Sequence, residues 1–322
     1  MAPAPIALFA FNRPEHLARV LSALQKNPLA TSSEVHIFSD GPRHGDDAHA
    51  VKHVREVARS FPQFGRTCLH EREDNLGLAE SVIQGVTELS ASHGRVIVLE
   101  DDLVVAPGFL TFMNEALRRY EEEPRVMQIS GYMFPVERSG KLGSTFFCGV
   151  PTSWGWATWD RAWKCLNLDS GKLVGLLHEQ TLQNAFNVDG AYPYFEHLRL
   201  QAEGKMDVWG VRWYASMFVA GGLCLYPGRS LVQNIGMDGS GVHCGRSTDF
   251  EVELSDQDSW RFPDRIEASA KAYESIRSFL LGLRGEKKQR TLVDLVSRLG
   301  GLVSKMKRSC ASAVRPARII GE

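Results

Sequence analysis

The sequence predicts an α/β protein with a mainly parallel sheet flanked by helices, followed by a less regular C-terminal half. Short apolar runs alternate with helix-spaced segments over roughly the first 130 residues, and turn-forming clusters close several of those runs. Trp- and Gly-rich segments then dominate from Pro151 to Gly245, where the alternation is lost.

The first strand is expected at Ile6–Phe11, followed by Asn12-Arg13-Pro14 and a helix over Glu15–Gln25 with Leu17, Val20, Leu21 and Leu24 on one face. Val35–Phe38 reads as a second strand, stopped by Ser39-Asp40-Gly41-Pro42. A helix over Ala48–Ser60 and a weaker strand at Thr67–His70 come next. After Asn75-Leu-Gly77 a helix runs to about Ser92, and Arg95–Leu99 is the most strand-like segment in the chain. A helix over Phe109–Tyr120 and a buried strand at Val126–Ser130 complete the regular part. Strands and helices in this order give a doubly wound sheet, whose ligands bind beyond the carboxyl ends of the strands.

Composition narrows the function. Lys and Arg number 37 against 38 Asp and Glu, but ten of those basic residues and three of the acidic ones follow Leu281, so the body is acidic and the tail basic. An acidic body excludes nucleic acid as the main ligand. Six scattered cysteines without a CxxC pair fit a reducing compartment. The opening Met-Ala-Pro-Ala-Pro lacks a basic n-region, and no run reaches the ~18 apolar residues of a membrane span. A cytoplasmic location is therefore expected. In the tail, Leu292, Leu295, Val296, Leu299, Val303 and Met306 share a helical face beside Arg290, Arg298, Lys305, Lys307 and Arg308. That pattern suits a basic helix on the inner face of a membrane, and equally a tail docked on the body.

Glu100-Asp101-Asp102 is the most informative motif. Three carboxylates after a hydrophobic strand repel one another and call for a positive partner. A solvated acidic turn is the bland alternative; the position after Val96–Leu99 favours a hard divalent ion, Mn²⁺ or Mg²⁺, bound together with substrate phosphates. Asp40 suits a self-bonded turn or a contact to a base or ribose, and Asn75 with Gly77 suits a helix cap or an anion site.

In order, Phe9-Ala-Phe-Asn-Arg-Pro-Glu-His-Leu17, Phe38-Ser-Asp-Gly41, Glu73-Asp-Asn-Leu-Gly-Leu78 and Val98-Leu-Glu-Asp-Asp-Leu-Val-Val-Ala-Pro107 resemble the GT-A-fold (Rossmann-like) nucleotide-sugar glycosyltransferases. The likeness is greatest to family 2-like enzymes and the N-acetylglucosaminyltransferase I group. The resemblance implies that Asp40 contacts the nucleobase and that Asn75 and Gly77 shape the nucleoside pocket. It also implies that Asp102 ligates the metal directly and that Asp101 lies near the ribose or just behind the metal. Residues 1–110 would then form the nucleotide-sugar-binding half and 111–280 the acceptor-binding and catalytic half of the same domain, with 281–322 as the basic amphipathic tail.

Thr152–Trp163 holds Trp154, Trp156, Trp159 and Trp163, the last three at helical spacing that suits burial in a core. Trp154 and Trp156, around Gly155, also suit stacking on a sugar, and the resemblance places a Gly-Trp loop there near donor and acceptor. A general base is needed for the acceptor hydroxyl. Among Asp160, Asp169, Asp189, Glu196, Glu203 and Asp207, the choice falls on Asp207, because Met206-Asp-Val-Trp-Gly-Val-Arg-Trp213 resembles the acid-tryptophan segment that carries the base in inverting GT-A enzymes; a helix cap is its alternative. The loop Asn234–Cys244 suits closure over a diphosphate, with His243 as a further metal ligand or a structural histidine. The expected reaction is an inverting, metal-dependent transfer of a hexosyl or N-acetylhexosaminyl group from a nucleotide-diphosphate sugar to a hydroxyl of a carbohydrate or lipid-linked glycan acceptor. A sugar-phosphate nucleotidyltransferase and a non-catalytic carbohydrate-binding protein are the rivals, although Phe11–Pro14 lacks the glycine-rich basic loop that the former needs.

Overall fold

The computed structural model describes residues 2–61, 64–136, 142–240 and 246–284. Met1–Phe279 form one compact unit and Leu280–Glu322 a second. Of the second, only residues 280–284 are described, so the amphipathic stripe expected in the tail lies outside the described residues. No helix among the described residues is long and apolar enough to cross a membrane.

The chain begins with β1 (Ile6–Ala10), buried at every position, and α1 (Pro14–Gln25). Pro14 starts this helix where a missing N–H costs nothing, and Leu17, Val20, Leu21 and Leu24 point inward as their spacing requires. Then come β2 (Glu34–Ser39), α2 (Ala48–Arg59), β3 (Arg66–Glu71), α3 (Gly77–His93) and β4 (Arg95–Glu100). A short ribbon strand β5 (Leu103–Val105), α4 (Phe109–Arg119), β6 (Val126–Ser130) and β7 (Thr145–Cys148) follow. The second half contains β8 (Trp156–Trp159), α5 (Asp160–Trp163), α6 (Ser170–Leu176), α7 (Gln180–Phe186), α8 (Tyr194–Ala202), α9 (Trp209–Val219), β9 (Leu223–Pro227) and β10 (Val232–Asn234).

Among the described residues, eight strands form one sheet in the order β3-β2-β1-β4-β8-β6-β9-β7. The β3-β2-β1-β4 block is parallel throughout, with Leu8 level with Ile37 on one side and Leu99 on the other. β8 runs antiparallel between β4 and β6, β9 is parallel to β6, and β7 closes the edge antiparallel to β9. The expected α/β class with a mainly parallel sheet flanked by helices is the observed one. Because the chain goes from β1 to β2 on one side and later returns through α3 to β4 on the other, the connections diverge at the carboxyl end of β1. Such a switch point leaves a crevice there.

The tryptophan segment departs from its expected form. Trp156–Trp159 is a strand, so its side chains alternate between two faces. Trp156 stacks on Trp209 at 5.2 Å and lies near Trp163 and Trp213, whereas Trp159 on the opposite face donates from Nε1 to the Leu117 carbonyl. Large apolar residues buried on both faces of a central strand erase the in-out pattern, which is why 156, 159 and 163 read as one helical face.

Candidate active site

The carboxyl ends of β1, β2 and β4 open into a cavity of about 290 Å³. Phe9, Phe11, Phe38 and Leu78 supply its apolar walls. Asp40, Asn75 and Ser81 stand on one side, and Arg13, Glu100, Asp101, Asp102, Gly236 and Ser240 on the other. A mostly apolar slot with a few converging polar groups is the usual form of a small-molecule site.

Asp40 is buried just past β2, and its carboxylate is held by backbone N–H groups. Oδ1 accepts from Leu76 at 2.9 Å and Gly41 at 3.2 Å, and Oδ2 from Gly77 at 2.9 Å. The Leu76 and Gly77 groups are donors at the start of α3, so Asp40 stabilises that helix end with charge as well as hydrogen bonds. Asn75 donates from Nδ2 to the Gly41 carbonyl at 2.8 Å, and Gly77 adopts φ +77°, a left-handed conformation that glycine takes without strain. The Asp40 and Asn75 loops are thereby fixed to each other on the cavity wall.

Asp101 and Asp102 are also buried. Asp101 Oδ2 accepts from the Phe11 N–H at 3.2 Å, and Arg13 Nη2 bridges Asp101 Oδ1 and Asp102 Oδ2, the latter at 2.9 Å. Asp102 Oδ1 is buried without a hydrogen-bond partner. Burial, with the charges of Asp102 and Asp101 adding to it and Arg13 pulling the other way, pushes the Glu100 carboxyl up to about 8. Burial likewise raises Asp101 to about 6 although Arg13 opposes the shift. Burial works against the Arg13 charge, but Asp101 and Asp102 outweigh it and raise its proton affinity. Three carboxylates are thus crowded around one cation, Arg13, which pairs with Asp101 and Asp102. An orphaned carboxylate oxygen and a surplus of negative charge are what a hard divalent ion would satisfy, with Asp102 Oδ1 and Glu100 as its protein ligands and phosphate oxygens completing it.

The ribbon formed by β5 and β10 sets Asn234 opposite Leu103, and the Ile235 N–H donates to the Asp102 carbonyl at 2.8 Å. Gly236 is consequently packed against the acids. A Cβ there would stand 2.1 Å from Asp102 Oδ2 and 2.8 Å from Arg13 Nη1, so no larger residue fits without displacing the pair. On the rim, Arg43 lies over the Phe11 ring at 4.8 Å, and Asp47 holds it by an ion pair while accepting from Asn12.

Of the residues expected in the site, Asp40, Asn75, Gly77, Asp101 and Asp102 come together in this cavity. Trp156 does not: it is 1% exposed and belongs to the tryptophan core on β8, a correction that follows from the strand's two-sided burial. Trp154 is half-buried, edge-on to Tyr132 at 4.7 Å and to Phe250 at 5.5 Å, and is not among the lining residues. Asp207 is also outside the lining; its side chain is 69% exposed and lies 3.4 Å from Arg212, and it does not cap α9. His243 lies outside the described residues. Arg13, Phe38 and Arg43 line the cavity without an individual role expected from sequence, and Gly236 and Ser240 line it as members of the loop expected to close over a diphosphate. Arg13 was the most accessible of these, a cation three residues past a buried strand in a chain whose acid cluster required a positive partner.

The raised carboxyls predict a pH effect in metal-free protein. Glu100 and Asp101 titrate near 4.5 and 3.8 when unperturbed, and near 8 and 6 in the fold. Between those values the folded state binds more protons than the unfolded state, so stability falls as pH rises from about 4 to 8. The melting temperature in EDTA should drop across that window, Mn²⁺ should restore it at pH 8, and Glu100→Gln should flatten the slope. A Glu100→Gln profile parallel to that of the wild type would contradict the assignment.

No protein-family model matches the chain, and no curated protein does. Among solved structures, the chain is similar to residues 1–349 of S. aureus TarS, with 13% identity over 40% of this chain and 35% of that one and a TM-score of 0.31. It therefore spans about a third of that fragment's length. It is also similar to the mannosyltransferase PcManGT from Pyrobaculum calidifontis in complex with GDP-Man and Mn²⁺, with 11% identity over 69% and 70% of the two chains and a TM-score of 0.38. The galactosyltransferase LgtC, in complex with donor and acceptor sugar analogs, gives 10% identity over 69% and 72% and a TM-score of 0.37. At such scores these are partial likenesses, and the functional reading stands on the site itself.

Proposed function

We propose that the protein is a divalent-cation-dependent glycosyltransferase that takes a sugar from a nucleoside-diphosphate donor bound in the Asp40–Asp102 cavity. The observation that carries this reading is the junction of an aromatic-walled slot with an acid cluster containing the unpartnered Asp102 Oδ1, at the switch point of the sheet. The nucleoside lies between Phe11, Phe38 and the Asp40–Asn75 wall, with the diphosphate directed towards Arg13, Asp102 and Ser240. Asp102 and Glu100 would hold Mn²⁺ or Mg²⁺, which would supply positive charge to offset that of the departing diphosphate. Arg13 keeps Asp101 ionised and oriented, and Gly236 lets the Ile235–Ser240 loop lie against the phosphate side.

In the transfer, an acceptor hydroxyl oxygen on a glycan or glycolipid bonds to the anomeric carbon, the bond to the diphosphate oxygen breaks, and the hydroxyl proton passes to a carboxylate. A single displacement of this kind inverts the anomeric centre. Asp207 is the proposed proton acceptor, an exposed carboxylate outside the donor cavity. Asp207→Asn should lower kcat by ~10²–10⁴ with donor affinity unchanged, the signature of a lost general base. Retained turnover in an intact protein would move the base to another acid.

The reaction class is tested by incubating purified protein with Mn²⁺, a panel of nucleotide sugars and glycan acceptors, and reading nucleotide release and product mass. A nucleoside diphosphate with an acceptor one sugar heavier is expected. Pyrophosphate exchange with nucleoside triphosphates would make the protein a nucleotidyltransferase instead, and saccharide binding without turnover would leave a carbohydrate-binding module.

A further inference from the structure

At the opposite, amino-terminal end of the parallel block, Glu34 and His36 alternate along β2 and so share one face of the sheet. Their register partners Arg66 and Cys68 on β3 carry the same face, and His93 from the last turn of α3 comes down onto it. One carboxylate oxygen of Glu34 and one ring nitrogen each of His36 and His93 lie within 4.8 Å of one another. His36 is 8% exposed, and its Nε2 is buried without a hydrogen-bond partner although Glu34 Oε1 is 3.1 Å away.

Two contacts suit metal-binding tautomers. His93 Nδ1 is 3.2 Å from the Leu89 carbonyl, which can only accept, and 2.9 Å from Ser92 Oγ, whose own proton goes to the Glu88 carbonyl at 2.7 Å; donation from Nδ1 to either oxygen leaves Nε2 as a lone pair. That nitrogen is 3.9 Å from Glu34 Oε2. His36 Nδ1 is 2.9 Å from His70 Nε2, and when it donates there its own Nε2 is likewise a lone pair turned towards the carboxylate. Lone pairs facing a carboxylate are stabilised by a cation between them. Histidine ligands that donate their second nitrogen to a fixed acceptor are the usual arrangement in metal sites. Tetrahedral zinc with bonds of ~2.0–2.1 Å needs donors roughly 3.3 Å apart, a modest contraction that the exposed His93 can supply.

We propose that Glu34, His36 and His93 form a transition-metal site, separate from the acid cluster, that binds Zn²⁺ through two imidazoles and one carboxylate with solvent as the fourth ligand. Imidazole donors select zinc-like ions over the hard ions suited to Asp102. The carboxylate has competitors, Arg66 at 3.1 Å and the Cys68 thiol at 3.8 Å, but Arg66 is 71% exposed and free to turn into solvent. The bound ion ties the start of β2 to the end of α3, and so braces two elements that reach the donor cavity at their other ends.

Zn²⁺ titration of the EDTA-treated full chain by calorimetry tests this, in wild type and in the Asp102→Asn background. One Zn²⁺ per chain should bind in both. His93→Gln and Glu34→Gln, both at partly exposed positions, should each weaken that binding at least tenfold, and the tetrahedral Co²⁺ absorption should vanish in His93→Gln. The site is overturned if Zn²⁺ binding disappears in Asp102→Asn. It is equally overturned if His93→Gln and Glu34→Gln bind Zn²⁺ as wild type does, since the histidine-carboxylate contacts are then ordinary ion pairs.

Discussion

Asp102→Asn is expected to leave the fold intact and to reduce metal-dependent turnover by more than ~100-fold. The amide keeps the size of the side chain and an oxygen that can accept from Arg13, so the neighbouring backbone is undisturbed. It removes the charge of a buried group whose Oδ1 has no protein partner. Loss of residues that merely support a metal's ligands costs ~10–100-fold, and loss of a charged ligand costs more. The stability sign is opposite to the functional one, because one of three mutually repelling acids is gone. An unchanged or raised melting temperature with collapsed turnover in Mn²⁺ is the expected pair of results. Turnover near that of the wild type would remove Asp102 from the metal.

Arg13→Met is expected to produce the largest loss of stability of any change in the site. Arg13 is mostly buried and supplies the cation shared by Asp101 and Asp102. Breaking a buried pair from one side typically costs ~3–5 kcal/mol, because the stranded charge keeps its desolvation penalty. At ~2–4 °C per kcal/mol for a domain of a few hundred residues, the melting temperature at pH 8 should fall by roughly 10 °C. Without the guanidinium the Asp101 carboxyl rises further, so the mutant relieves its strain by protonation. The difference between mutant and wild type should therefore narrow as pH is lowered from 8 to 5. A difference that is absent at pH 8, or that widens on acidification, would show that Arg13 does not hold these acids.

The first half of the fold was legible because local signals agreed with global ones. Pro14 and the Leu17–Leu24 face marked α1, and the Val96–Leu99 run marked the buried centre of a parallel sheet. Glu100–Asp102 could be placed because acids at the end of such a strand have few reasons to be there. The second half was not legible in the same way. β8 buries large residues on both faces and runs antiparallel between strands far away in sequence, so its period carried no label. Trp156 was misassigned to the donor for that reason. Gly236 was part of a recognised loop, but its contact with Asp102 depends on the β5-β10 ribbon, which pairs residues some 130 positions apart. The clamp on Asp40 by α3 was hidden too, since an Asp-Gly turn reads the same whether its carboxylate faces its own backbone or another helix.

Joint binding of a nucleoside diphosphate and a divalent ion in the Asp40–Asp102 cavity is tested by calorimetric titration of GDP and UDP with and without Mn²⁺. At least one of the two should bind at least tenfold more tightly when Mn²⁺ is present, and the matching nucleotide sugar should displace it. Nucleotide affinity that is indifferent to Mn²⁺, or the same Mn²⁺ enhancement in Asp102→Asn, would mean that the two do not bind together at Asp102.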